Sequence, residues 1–267
     1  MPLINLIILA VIQGITEFLP ISSSGHLALF PALTGAADQG LQLDVAVHVG
    51  TLVAVVIYFW KDVSASVVGG LHIVSGKTRT YEAGLTLRLV VATIPVVIAG
   101  LILSLTGETA ILRDIEVIAW ATLVFGVALY LADRFAPQRR EAESWSWRDA
   151  VIMGLAQAVA LIPGTSRSGI TMTAARGLGY KRTDSARISM LMSVPTILAA
   201  GLLIIKDLLD QGDVALGADA ALAAALACVS ALLALALMMR MLRDWSMTPF
   251  VIYRLLLGAA LMVFIYA

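Results

Sequence analysis

Two short polar stretches interrupt otherwise apolar runs in this sequence: QGITEFLPISSSGH at 13–26 and PGTSRSGIT at 163–171. In the first, Gln13 and Glu17 are four residues apart and share one helix face. Glu17 lies deep in an apolar segment, where an ionisable group is costly and is usually kept for function. After Pro20 the chain turns through Ser22, Ser23, Ser24 and Gly25, and His26 opens a returning helix. Hydroxyls and free amide N–H groups at a helix start make an anion site, for phosphate above all. The second stretch sets Thr165, Ser166, Ser168 and Thr171 around Arg167, whose guanidinium can fork onto two phosphate oxygens and stays charged at any relevant pH. The ligand such a set suits is a phosphorylated group on a greasy tail.

Blander roles exist for each residue. A serine in a membrane helix commonly bonds to its own backbone, Gln13 could serve packing, Glu17 and Arg167 could be a structural ion pair, and His26 could be a satisfied buried histidine. Asp44 and His48 in LDVAVHVG, also four apart, read as structural or supporting residues, and His72 as solvated.

Those stretches must be positioned by membrane helices. Of the 267 residues 60% are hydrophobic and 13% charged, about half the charged fraction of a soluble domain. Eighteen Lys and Arg balance eighteen Asp and Glu, which points away from a nucleic-acid partner, and the single cysteine, Cys228, excludes an intrachain disulfide. No Lys or Arg precedes Lys61, so the apolar N-terminus lacks the basic flank of a cleavable signal peptide and reads as part of the mature protein. A span needs about 20 mostly apolar residues, which predicts spans at 44–60, 87–105, 115–132, 188–205, 218–239 and 249–267. Residues 3–35 and 150–179 are apolar but break midway, at Pro20 to Gly25 and Pro163 to Gly169, and read as re-entrant hairpins lining a polar cavity.

Lys and Arg concentrate in the 61–88, 134–148, 176–187 and 240–254 connections, while 106–114 and 206–217 hold one each. With positive loops cytoplasmic, both termini lie outside. The expected fold is all-α and polytopic: a single domain over 1–267 with two inverted-topology repeats, about 1–134 and 148–267, each a hairpin plus three spans. LPISSSG at 19–25 and IPGTSRSG at 162–169 are similar breaks, and inverted repeats of this kind bring their sites together near the midplane.

QGITEFLPISSSGHL, LDVAVHVGTLVAVVIYFW, IPGTSRSGITMTAA and FVIYRLLLG together resemble the undecaprenyl-diphosphate phosphatases, integral membrane enzymes known for conferring bacitracin resistance. The resemblance runs from about residue 3 to the C-terminus. It implies dephosphorylation of a C55 isoprenyl diphosphate to the monophosphate carrier used for peptidoglycan, at the outer face of a bacterial inner membrane. It carries the glutamate-rich motif to Gln13 and Glu17, the serine motif to Ser22 through His26, and the arginine motif to Arg167. The first position of the glutamate motif is often Glu, and here it is Gln13. On this reading Ser23 is the nucleophile and His26 its base, or His26 is itself the nucleophile. Gln13, Ser22, Ser24, Gly25, Thr165, Ser166, Ser168 and Thr171 bind the diphosphate. Glu17 orients His26 or binds a divalent cation, Mg2+ or Ca2+. The expected partners are the polyprenyl diphosphate and the membrane, with a homodimer left open. The rival reading is a polyprenyl-phosphate transporter using the same anion site.

In a chain lacking Cys228, a cysteine placed at Gln138 is expected to react with impermeant reagent only from the cytoplasm and one at Gln211 only from outside. Labelling of both from one side would overturn the topology.

Overall fold

The fold comes from a computed structural model describing residues 2–34, 41–106, 114–210 and 217–267; side chains at 24, 28, 31–34, 41–42 and 203–210, and all of Gln211, lie outside the described residues. Among the described residues the chain forms α1 (Leu3–Phe18), α2 (Ser23–Thr34), α3 (Leu41–Tyr58), α4 (Trp60–Val74), α5 (Tyr81–Thr106), α6 (Ile115–Phe135), α7 (Trp147–Val159), α8 (Arg167–Gly177), α9 (Arg182–Asp210), α10 (Ala218–Asp244) and α11 (Thr248–Tyr266). No strand accompanies them beyond a lone bridge between Arg140 and Tyr180. Long apolar runs become helices here because a helix bonds its own backbone groups without help from water. Polar residues mark the starts: Asp114 caps α6 by accepting from the Glu116 N–H at 2.9 Å, and Ser146 with Asp149 forms a capping box on α7.

Among the described residues five helices are long and apolar enough to cross a bilayer: α5, α6, residues 182–202 of α9, α10 and α11. The expected span at 44–60 takes a different form. Its helix ends at Tyr58 and the axis turns by 94° into α4, so this pair is a sixth crossing only if counted together. Phe59 breaks the helix with φ −104° and ψ 34°, and Asp62 just beyond it is held by Arg187 of α9 at 2.6 and 2.9 Å. Outward faces carry large apolar side chains, Leu105 at 79% exposure and Leu233 at 68% among them, as a lipid solvent requires. This is a membrane protein. At 16 and 13 residues, α1 and α7 are too short to cross. Each is followed by a break, and each packs against the helix after it, α2 or α8.

Helix α10 packs along both α1 and α3, α11 along α6, and α7 along α5, while α9 touches α3, α5 and α8. Small residues permit the closest of these approaches. A Cβ at Gly14 would fall 2.0 Å from Ser230 Oγ, and one at Gly50 would fall 2.1 Å from the Ala224 carbonyl oxygen. Far from these contacts, buried Asp133 knots α6 to three neighbours. It accepts from Arg176 Nε at 3.0 Å, Arg182 Nε at 2.8 Å and the Met247 N–H at 3.0 Å. Arg176, counted above among the loop cations, is fully buried in this knot.

Gly50→Ala is expected to force α3 off α10 and destabilise the protein by about 1–3 kcal/mol, the usual cost of overpacking. Thermal melting in detergent would show a lowered Tm, whereas Gly70→Ala, with open space at its Cβ, should melt as the parent does.

Candidate active site

The two breaks are built alike. Each ends on a serine with a positive φ, 75° at Ser22 and 69° at Ser166. This is a conformation L residues avoid, at a cost of about 1–3 kcal/mol each. Each serine hydroxyl then accepts from the glycine N–H three residues on, Gly25 at 3.3 Å and Gly169 at 3.1 Å. The local pattern is thus Ser-x-Ser-Gly in both, with Ser23 and Arg167 in equivalent places as first residues of α2 and α8. The breaks also touch: Ser168 Oγ, 3.2 Å from Ser166 Oγ, donates to the Leu19 carbonyl at 2.9 Å.

Both first residues converge on Glu17. Its Oε2 accepts from Ser23 Oγ at 2.7 Å and from Gln13 Nε2 at 2.9 Å, and its Oε1 accepts from Arg167 Nη2 at 2.9 Å. Glu17 is only 7% exposed, so its charge is held by three donors rather than by water. Among the described residues two of its partners keep a buried polar atom without a partner, first Arg167 Nη1 and then Gln13 Oε1, and Thr165 Oγ1 in the second break is likewise buried without one. Buried groups of this kind are normally satisfied, and a phosphate reaching Arg167 would satisfy the first. Glu17, Ser23, Ser166 and Arg167 form the polar wall of a cavity of about 460 Å³, with Asp44 and His48 beside them. Val45, Val49, Leu52, Ile197 and Leu198 make its apolar side. One wall suits an anion and the other a hydrocarbon.

The expected pairing of Ser23 with His26 is not the one formed. Residues 22 and 26 are a helical turn apart, so the His26 Nδ1–H bonds back to the Ser22 carbonyl at 2.6 Å. Its Nε2 is then left to accept from the Tyr253 hydroxyl at 2.5 Å, with the two rings stacked 5.7 Å apart. The imidazole lining the cavity is that of His48, read from sequence as structural or supporting. Its Nδ1–H donates to the Asp44 carbonyl at 2.7 Å, and its Nε2 lies 3.9 Å from Glu17 Oε2.

Thr171 likewise faces away from the cavity, bonded to the Arg167 carbonyl at 2.8 Å and to Ser189 Oγ at 2.6 Å. Ser168 fastens the breaks, Ser22 and Gly25 shape the first turn, and the Ser24 side chain lies outside the described residues. Sequence reasoning missed Arg254, which it counted with the 240–254 loop. It is fully buried and bonds to carbonyls of both breaks. An arginine five residues into the apolar run after Pro249 was the available signal.

Two helix breaks that meet at a buried, hydrogen-bonded carboxylate are the hallmark of the site. Residues 6–260 match the profile of the bacitracin resistance protein BacA family, and the chain belongs to that family. It is 57% identical over 267 residues to the undecaprenyl-diphosphatase of Roseobacter denitrificans and 58% identical over 267 residues to that of Ruegeria pomeroyi, with 100% of both chains covered in each comparison. Over 272 residues it is 46% identical to undecaprenyl-diphosphatase 1 of Rhodospirillum rubrum, covering 100% of this chain and 96% of the relative.

Arg167→Lys keeps the charge but replaces the fork by one ammonium, which cannot hold Glu17 and a phosphate in the same geometry. Binding of inorganic pyrophosphate to the purified protein is expected to weaken at least about tenfold, the scale of one charge-assisted bond. An unchanged Kd would confine Arg167 to structural pairing with Glu17.

Proposed function

We propose that the protein hydrolyses undecaprenyl diphosphate to undecaprenyl phosphate and inorganic phosphate, which returns the lipid carrier to cell-wall polymer synthesis. The observation that carries this reading is the Ser23 hydroxyl bonded to the Glu17 carboxylate at 2.7 Å, beside Arg167 in a cavity with one apolar wall. A binding site for phosphate needs Arg167 and the helix starts. It does not need a hydroxyl aimed at a base, and this favours chemistry over lipid transport.

In this reading Arg167 and the start of α8 hold the terminal phosphate while the isoprenyl chain lies along Val45, Val49 and Leu198. Ser23 Oγ attacks the terminal phosphorus as its proton passes to Glu17. The bond to the bridging oxygen breaks, and polyprenyl phosphate departs with the electron pair and that proton. Water then attacks the phosphoserine, giving a proton to Glu17, which returns it to Ser23 Oγ as inorganic phosphate leaves. The leaving group is itself a phosphate, so positioning and charge neutralisation do most of the catalytic work. Gln13 fixes the Glu17 rotamer, His48 stands where it can assist the water, and His26 with Tyr253 shapes the turn that presents Ser23.

A divalent cation, Mg2+ or Ca2+, would supply further charge neutralisation to the diphosphate. Among the described residues no group of three or more His, Cys, Asp and Glu could hold one, and Glu17 already accepts three hydrogen bonds. A carboxylate has about four acceptor sites, so in this reading Glu17 would have one left for an ion that arrives with the diphosphate.

The proposed topology is one membrane domain over 1–267 with inverted repeats at about 1–134 and 148–267 in a bacterial inner membrane, the cavity opening to the outer face. The matched Ser-x-Ser-Gly turns and the loop charge bias support it.

Phosphate release from farnesyl diphosphate by purified protein tests the reaction. Ser23→Ala is expected to abolish release while pyrophosphate binding survives. Glu17→Gln should slow turnover at least about a hundredfold, the usual worth of a positioned base. Chelation should slow the parent, with added Mg2+ restoring it. Release at the parent rate by both variants would leave the anion site to a lipid transporter.

A further inference from the structure

Arg254 does not line the cavity, yet it is tied to both broken turns that do. A guanidinium carries five N–H groups, and five main-chain carbonyls take them. Nε donates to Thr122 at 3.2 Å, Nη1 to Pro20 at 3.2 Å and Thr165 at 2.9 Å, and Nη2 to Ala121 at 3.4 Å and Gly164 at 2.9 Å. The side chain is 0% exposed. With every donor engaged it has none left for a substrate, and none of its five acceptors is a carboxylate.

Those carbonyls come from three segments. Pro20 belongs to the first break, Gly164 and Thr165 to the second, and Ala121 and Thr122 to α6. In a trans peptide the C=O and the following N–H point in opposite directions, and no described peptide is cis. Drawing the Thr165 carbonyl onto Arg254 therefore aims the Ser166 N–H away from the guanidinium, on a residue that lines the cavity. Two glycines make room for the arginine. A Cβ at Gly169 would fall 2.9 Å from Nη1, and one at Gly126 would fall 3.2 Å from the Arg254 Cβ and 3.5 Å from Nε.

We infer that Arg254 is a positioning residue for the phosphatase: by gripping both turns and α6 with one rigid five-donor fork, it sets how Ser23 and Arg167 meet across Glu17 and turns the backbone of the second break to receive phosphate. The inference rests on the phosphatase reading for its kinetic consequence. Lysine cannot replace the fork, since one ammonium has three donors at a single point.

The test compares Arg254→Lys, Arg254→Met and Gly126→Ala with the parent in the full-length protein, measuring phosphate release from farnesyl diphosphate and hydrogen exchange of the backbone. Both Arg254 variants should lose kcat at least about tenfold, as a displaced site does, with KM changed less than about threefold. Exchange should quicken in 19–26 and 162–169 while α3 and α10 keep the parent's protection. Gly126→Ala alters no catalytic or bonded side chain and adds one methyl group against the arginine stem. It should lower kcat several-fold with an unchanged melting temperature, and it alone decides if the Arg254 variants do not fold. Parent kcat in Arg254→Lys or in Gly126→Ala, or exchange that rises evenly through all helices, would overturn the inference. A parent protein that releases no phosphate would instead overturn the phosphatase reading, and the local exchange pattern would still test whether Arg254 holds the two turns.

Discussion

A helix broken inside a membrane protein leaves carbonyl and amide groups that lipid cannot satisfy, each worth several kcal/mol if left bare. Two such breaks in one small protein are tolerable only if they satisfy each other or share a donor. Here they do both. Ser168 crosses to the Leu19 carbonyl, the N-terminal serines bond the glycine amides of their own turns, and Arg254 takes up the carbonyls of Pro20, Gly164 and Thr165. Satisfying the backbone holds the two turns side by side, and this neighbourhood makes the site.

Once the turns are adjacent, a carboxylate between them becomes affordable. Glu17 alone in an apolar helix would be expensive to ionise. Set against the guanidinium of Arg167 and the hydroxyl of Ser23, it is a paired charge in a medium that strengthens every contact it makes. The same arrangement leaves Arg167 Nη1 buried without a partner. On the proposed function such a site is ready for an anion, because the ordering of donor, base and cation precedes binding. On the same reading the apolar lining from α3 and α9 gives the ligand's tail a place that the membrane already favours.

The helices around this centre mainly hold it in place. Gly14 and Gly50 let α1 and α3 lie directly on α10, which fixes the helix that carries Glu17 and the one that carries His48. Asp133, holding Arg176 and Arg182, joins the ends of α6 and α8 to the start of α9, and so steadies the second turn from its far side. A change in either place reaches the cavity through rigid helices rather than through contact with a ligand.

Residue types and periodicity alone were enough to mark the membrane helices, the two breaks, and Gln13, Glu17, Ser23 and Arg167 as one cluster. Long apolar runs and Pro-Gly interruptions are local signals, and lipid leaves the backbone few alternatives to a helix. The bend at Phe59 was not legible, because it depends on Asp62 meeting Arg187 from a helix 125 residues away. The choice of imidazole was not legible either. His26 is adjacent to Ser23 in sequence, but its own helical turn and Tyr253 claim both ring nitrogens, while His48 reaches the cavity through the packing of α3 beside α1. Arg254 looked like a loop cation until five carbonyls from three segments were found around it. Sequence thus determined which residues are costly in a membrane and therefore need partners. Which partners they found was decided by tertiary structure, because hydrogen bonds of about 3 Å select among side chains by their position in space and not by their separation along the chain.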